Sequence, residues 1–272
     1  MSEHHTLPRV GIWMFPDAPA QHLLDAVIRA DRAGVDECWI ADEAVSREPM
    51  VVFGAAAPQT THVKMGVGIT SPVIRHPGAM ASSIATLDEL SGGRAMLGFG
   101  VGGALSLDPF GLKAEKPVAL VRDAIRTARS VIQRQPSDLY EPPAHAAPGR
   151  SVPIFVGSRG EQINKLASRE ADGVFFSSWV LDSLGTAVDW ARSVRPIHVA
   201  MYPSIRFRAD APDDPTSLCG DPTAVAAGLV DLVERHHPES IGLALVDGDP
   251  IPQMVESALE AIRLYREAIA AR

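Results

Sequence analysis

The sequence predicts the α/β class, as a single-domain (β/α)8 barrel of the TIM type spanning residues 1–272, on three observations. Short apolar runs alternate in strict order with amphipathic stretches, and each kind occurs eight times. The 272 residues divide into units averaging 34 residues (272/8), close to what such a barrel requires. No linker or shift of composition divides the chain, and the strands are apolar throughout, as in a parallel sheet covered on both faces.

The first strand is expected near 9–15 (RVGIWMF), ahead of an amphipathic helix over 20–33. A second, near 37–41 (ECWIA), leads into a helix over 49–59. The third, near 63–69 (VKMGVGI), is followed by a helix over 78–90 that Gly92 and Gly93 close as a C-cap. The fourth, near 95–100 (AMLGFG), is separated by a long loop over 101–116 from the helix at 117–134. A Pro-rich polar segment, 136–152, reads as a surface excursion into the fifth strand near 153–156 (PIFV), which precedes a helix over 161–170. The last three strands fall near 173–176 (GVFF), 197–202 (IHVAMY) and 240–246 (SIGLALV), with helices over 183–193, 222–236 and 252–271. The stretch 203–221 reads as a second long loop on the face where barrel enzymes carry their chemistry.

Composition narrows the function. Net charge is −8, with pI about 5.6 and no block of Lys and Arg, which disfavours nucleic acid and anionic membranes as partners. No apolar run reaches the roughly 18 residues that span a bilayer, and the start, MSEHHTLPRV, lacks a signal-peptide pattern, so a cytoplasmic protein is expected. Cys38 and Cys219 stand far apart without metal-ligand spacing, as inert thiols. No nucleophile elbow, HExxH or P-loop is present, and no metal is expected: His4 and His5 read as a tail, and Asp213, Asp214, Asp247 and Asp249 as turn residues.

In a barrel, the chemistry belongs just after each strand. After the second strand stand Asp42 and Glu43, adjacent carboxylates that alternation turns in different directions. After the third come Gly68, Ile69, Thr70 and Ser71, small groups that let a flat ligand approach the backbone, then Arg75 and His76. His76, before a proline, reads as a loop residue and not as an acid. Gly98 to Gly103 match GxGxxG, but three units precede them and no helix opens at the last glycine, so Gly100 and Gly102 read as a floor with room for a cofactor. Gly157, Ser158, Arg159 and Gly160 open a helix, an arrangement that offers free N–H groups to a phosphate. Trp13, Met14, Phe110, Trp179 and Met201 stand at strand ends and are candidates for an apolar substrate wall.

The stretch GVGITSPVIRHPGAMASSIATLDELSGGRAMLGFGVGG, residues 66–103, resembles the luciferase-like monooxygenase superfamily, in its coenzyme F420-dependent branch, which includes methylenetetrahydromethanopterin reductase. AGVDECWIADE at 33–43, PIFVGSRGEQINKLASREADGV at 153–174 and GDPTAVAAGLVDLVERHHPESIGLAL at 220–245 extend the resemblance over nearly the whole chain. It implies a luciferase-like barrel and a non-prolyl cis peptide at Gly68-Ile69 backing the deazaflavin ring. Thr70, Ser71 and Asp42 would lie against the ring, with phosphate at residues 157–160. It also implies hydride transfer at C5 of F420 and a homodimer formed near strands 2 to 4. Several relatives carry a His after the strand 2 acid, where this chain has Glu43, and a carboxylate after strand 4, where this chain has Gly103, Ala104 and Leu105, the nearest being Asp108. Glu43, a carboxylic acid partly desolvated beside a neutral ring, is therefore the expected proton donor. With the His missing, a reductase is expected ahead of an alcohol dehydrogenase.

Three rivals remain at this point: an FMN-dependent monooxygenase on the same barrel, a non-enzymatic flavin-binding protein, and an NAD enzyme of the dinucleotide fold, which the position of the glycines disfavours.

Overall fold

The structure is a computed structural model, and it describes residues 7–43, 46–157, 159–207, 214–246 and 250–271. The chain runs β1 (Arg9–Met14), α1 (Ala20–Arg32), β2 (Glu37–Ile40), α2 (Pro49–Ala56), β3 (Lys64–Thr70), α3 (Pro77–Ser91) and β4 (Ala95–Phe99). It continues through α4 (Ala104–Leu107), α5 (Pro117–Gln133), β5 (Ile154–Gly157), α6 (Glu161–Glu170), β6 (Gly173–Ser177), α7 (Leu184–Arg192) and β7 (His198–Tyr202). The last elements are β8 (Ser204–Arg206), β9 (Ser217–Cys219), α8 (Pro222–His236), β10 (Ser240–Leu245) and α9 (Ile251–Ala270).

Strands β1 to β7 and β10 pair in parallel in that order, and β1 pairs with β10 from Arg9↔Ser240 to Met14↔Leu245, closing an eight-stranded barrel. The expected strands and helices are all present within a residue or two, except that the helix expected over 49–59 ends at Ala56 and runs on as a 3-10 turn. The loop regions differ from expectation. Within 203–221 two short strands form: β10 pairs with β7 over its first half and with β8 over its second, Ala244↔Ser204. Pro203, with no N–H to give, separates β7 from β8, and its carbonyl accepts from Ala244 N at 2.9 Å. The loop after β4 folds into the short helix α4. Residues 208–213 lie outside the described residues.

Alternation along each strand divides the core into two layers. Cys38 and Ile40 of β2, Met14 of β1 and Met201 of β7 face the helices. Trp39, Met96, Phe155, Phe175 and Tyr202 fill the barrel itself. These rings pack against one another: Trp39 lies edge-on 5.2 Å from Phe155 and tilted 4.7 Å from Phe175, and Phe175 stacks 4.9 Å from Tyr202. Glycines opposite make room for them. A Cβ at Gly66 would stand 2.2 Å from Trp39, one at Gly242 2.3 Å from Tyr202, and one at Gly173 2.3 Å from Phe155.

The barrel floor is polar. Glu37 is fully buried and accepts from Trp39 Nε1 (3.2 Å), the Tyr202 hydroxyl (3.0 Å) and Ser240 Oγ (2.9 Å), while Arg9 pairs with it at 3.0 Å. A buried carboxylate is tolerated only when so compensated. Among the described residues no helix is long and apolar enough to cross a membrane, and no cluster of His, Cys, Asp and Glu could hold a metal.

Candidate active site

A cavity of about 1010 Å³ opens at the C-terminal ends of the strands. Its lining includes Trp13 on β1, Asp42 and Glu43 after β2, Gly68, Ile69 and Ser71 at the end of β3, and Gly102 after β4. Gly157 and Arg159 at β5 and Ser177 and Ser178 at β6 complete its polar side.

The peptide Gly68-Ile69 is cis, at an irregularity in the pairing of β3 with β4 between Val67 and Thr70. Trp13 donates its indole N–H to the Gly68 carbonyl. The Ile69 side chain points toward β4 and β5, where a Cβ at Gly98, Gly100 or Gly157 would come within 2.9, 2.0 or 2.8 Å of it. This revises the role expected of the glycines: Gly100 does not line the cavity, and it is small because Ile69 occupies the space above it. Gly102 does line the cavity, at φ +93, with Ser71 Oγ 2.9 Å from where its Cβ would be.

Asp42 is buried and heavily engaged. Its Oδ2 accepts from the Thr70 hydroxyl at 2.6 Å, and Arg75 reaches Oδ1 through one terminal nitrogen at 3.0 Å. Arg75 Nε stands 2.7 Å from Oδ2, an ion-pair contact off the line of its N–H bond. The same guanidinium binds Glu48, which also caps α2 through Met50 N at 3.1 Å. Arg75 is thus the counter-ion of two carboxylates rather than an anion-binding group. Thr70 is spent on Asp42 and does not line the cavity, and Ser71 donates to the Val101 carbonyl at 2.8 Å. His76 caps α3 by accepting from Gly78 N at 3.2 Å, a loop role as the sequence indicates.

Glu43 differs from its neighbour. It is half-buried, faces the cavity, and accepts at Oε2 from the Ser106 hydroxyl. Burial raises its carboxyl above the usual value; the Ser106 hydrogen bond opposes the shift and the charge of Asp42 adds to it. Ser106 reaches it from the short helix α4 that follows β4, so a hydroxyl meets Glu43 where the resemblance implied a carboxylate.

Ser158 lies outside the described residues. Arg159 is exposed, lines the cavity and donates to the Ser178 carbonyl at 3.0 Å. Gly160 is the N-cap of α6, and it does not line the cavity. The first-turn Glu161 pairs with Lys165 at 2.6 Å.

Of the apolar wall expected from sequence, only Trp13 lines the cavity. Met14 and Met201 are fully buried because alternation turns them toward the helices. Trp179 packs on Phe176 with ring centres 5.1 Å apart and donates to Ser183 Oγ at 2.7 Å. Phe110 is 53% exposed on the loop after β4. The wall is built instead by Phe15, Leu245, Val246, Pro250, Ile251 and Met254. Phe15 and Val246 directly follow β1 and β10, a position the strand-end rule reaches, whereas Ile251 and Met254 belong to α9 and carry no such signal.

A barrel with this bulge, this glycine cradle and a cavity above them defines a luciferase-like α/β barrel, and the luciferase-like monooxygenase family model matches residues 3–197. The chain belongs to that family. It is 30% identical over 279 residues to 5,10-methylenetetrahydromethanopterin reductase of Methanopyrus kandleri, and 28% identical over 259 residues to that of Methanolobus tindarius. Each alignment covers 88% of this chain and 79% of the relative. The solved structure of the coenzyme F420-dependent tetrahydromethanopterin reductase from Methanopyrus kandleri superposes with a TM-score of 0.81 at 22% identity, covering 96% of this chain and 99% of that one.

Proposed function

We propose that this protein is a coenzyme F420-dependent oxidoreductase that transfers a hydride between the deazaflavin C5 and a small organic substrate, in the direction of reduction. The observation that carries the reading is the cavity itself, which reaches from the cis Gly68-Ile69 bulge to Arg159 beside the start of α6, with Glu43 at its edge. Relatives named as F420-dependent glucose-6-phosphate dehydrogenases and the F420-dependent enzyme sharing its barrel support this cofactor. The lining fits it: Arg159, directly ahead of α6, suits a phosphate, and the bulge at Gly68-Ile69 offers a flat backing for a ring.

When bound, the deazaflavin supplies two-electron hydride chemistry at C5. The chain supplies the rest. Ile69, braced by Gly98, Gly100 and Gly157, fixes the height of the cavity floor. Asp42, Thr70 and Arg75 hold the ends of β2 and β3 together as a neutralised unit beside it. Glu43, whose carboxyl burial raises above its usual value, would hold a proton for the substrate, and Ser106 orients its carboxyl. A homodimer built near strands 2 to 4 fits the exposure of Leu105 (68%), Phe110 (53%) and Leu112 (36%) on the loop after β4.

The test is fluorescence titration with oxidised F420 and, in parallel, FMN. F420 is expected to bind, and Arg159→Ala to weaken it about fivefold, or ~1 kcal/mol, the upper range for an exposed charge pair. Binding of FMN alone would move the protein to the FMN-dependent monooxygenase reading.

A further inference from the structure

The strand order places two halves of the cavity opposite one another. In the barrel sequence β1-β2-β3-β4-β5-β6-β7-β10, β10 lies diametrically across from β4. The bulge, the glycine cradle and Arg159 all stand on β3 to β5. The wall across from them, on β10, β1 and the start of α9, is Phe15, Leu245, Val246, Pro250, Ile251 and Met254. Glu43, just after β2, stands at the seam between the two halves.

The charges are as one-sided as the apolar surface. Arg159 is the sole Lys or Arg among the described residues lining the cavity, and it stands on the β5 side. The other side offers Asp17 and His22, both exposed at the rim. Arg75, the nearest further cation to Asp42, is held by Asp42 and Glu48. An anionic substrate group docked against the β10–β1 wall would be desolvated with no Lys or Arg among the described lining residues of that side to pair with, facing Asp17 and Glu43 instead.

We infer that the β10–β1 wall of this cavity binds the body of a neutral, mainly apolar substrate, and that the site selects against phosphorylated or carboxylated ones. The inference rests on the proposed cofactor reading only for which side the cofactor takes. Burying an apolar skeleton on this wall removes apolar surface from water, which favours the complex. A carboxylate on the same skeleton would forfeit that gain to desolvation.

The test uses one skeleton in two charge states, methyl 1-cyclohexene-1-carboxylate and the free 1-cyclohexene-1-carboxylate anion. Each is titrated by calorimetry into the full chain, with and without oxidised F420. The ester is expected to bind at least tenfold more tightly than the acid at pH 8. Val246→Asp, at a 40% exposed position, is expected to weaken the ester at least tenfold while leaving F420 affinity unchanged. Equal or tighter binding of the acid, absence of ester binding, or an ester affinity indifferent to Val246→Asp would overturn the inference. Ester binding that persists and responds to Val246→Asp, in a protein that takes up no F420, would support the wall and sink the cofactor reading alone.

Discussion

Alanine placed at Gly66 and, separately, at Gly100 sets a rigid neighbour against one that can give way. Neither glycine has a positive φ, so both substitutions restrict the unfolded chain to the same degree, and their difference reports the folded state. At Gly66 the new methyl would stand 2.2, 2.4 and 2.5 Å from three carbons of Trp39. That ring is fully buried, wedged between Phe155 and Phe175 and hydrogen-bonded to Glu37, so the strand itself must move. Overpacking of this kind belongs at the top of the usual range, about 3 kcal/mol. At Gly100 the methyl would stand 2.0 Å from Ile69 Cδ1, the far end of a side chain beside open cavity. Ile69 can swing into that space at an off-rotamer cost of about 1 kcal/mol, and it then intrudes where the ring is proposed to lie. Urea unfolding should therefore show the larger loss for Gly66→Ala, while F420 titration shows a large loss of affinity for Gly100→Ala. Adding Ile69→Ala to Gly100→Ala should recover most of that affinity, a coupling of about 1 kcal/mol. Equal unfolding losses at the two glycines, or no recovery by Ile69→Ala, would refute the cradle account.

Glu43→Gln should lower kcat at least roughly a hundredfold, the lower bound for a lost general acid. It should also change stability with a definite sign. A carboxyl held above its usual 4.5 binds its proton more tightly in the folded than in the unfolded state, so stability falls as pH rises from about 4.5 through the folded value. The glutamine variant escapes that loss; its melting temperature relative to the parent should be higher at pH 8 than at pH 4, and the opposite trend would remove Glu43 as a proton holder. Arg75→Met strips the counter-ion from buried Asp42 and should destabilise by about 2 kcal/mol, below the full cost of breaking a buried pair because Arg75 is 32% exposed. Asp42→Asn in the same chain should restore part of that stability in urea unfolding; no restoration would mean the pair is not coupled.

What could be read from the sequence is what local pattern encodes. Eight apolar runs and eight amphipathic stretches carry periods of two and about 3.6 within a few residues of each other, so the strands, the helices and the barrel order follow without long-range information. The strand-end rule then reaches Asp42, Glu43, Gly68, Ile69 and Arg159, because a parallel barrel places every such end at one mouth. Alternation also separates Trp13 from Met14, but only with the register in hand: the two sit side by side in the chain and on opposite faces of β1.

The structure alone decides the partnerships between distant segments. Ser106 meets Glu43 across 63 positions from the short helix α4, and nothing in ALSLDPFG announces that helix. Thr70 and Arg75 engage Asp42 while Glu43, one position on, faces the cavity, so two adjacent carboxylates meet different surroundings. The glycines of β4 and β5 are small for Ile69, a neighbour in space that their own spacing does not name. Closure of β10 onto β1 brings Val246 and Met254 to face the bulge, since side chains far apart in sequence share a wall only once the eight strands complete the circle.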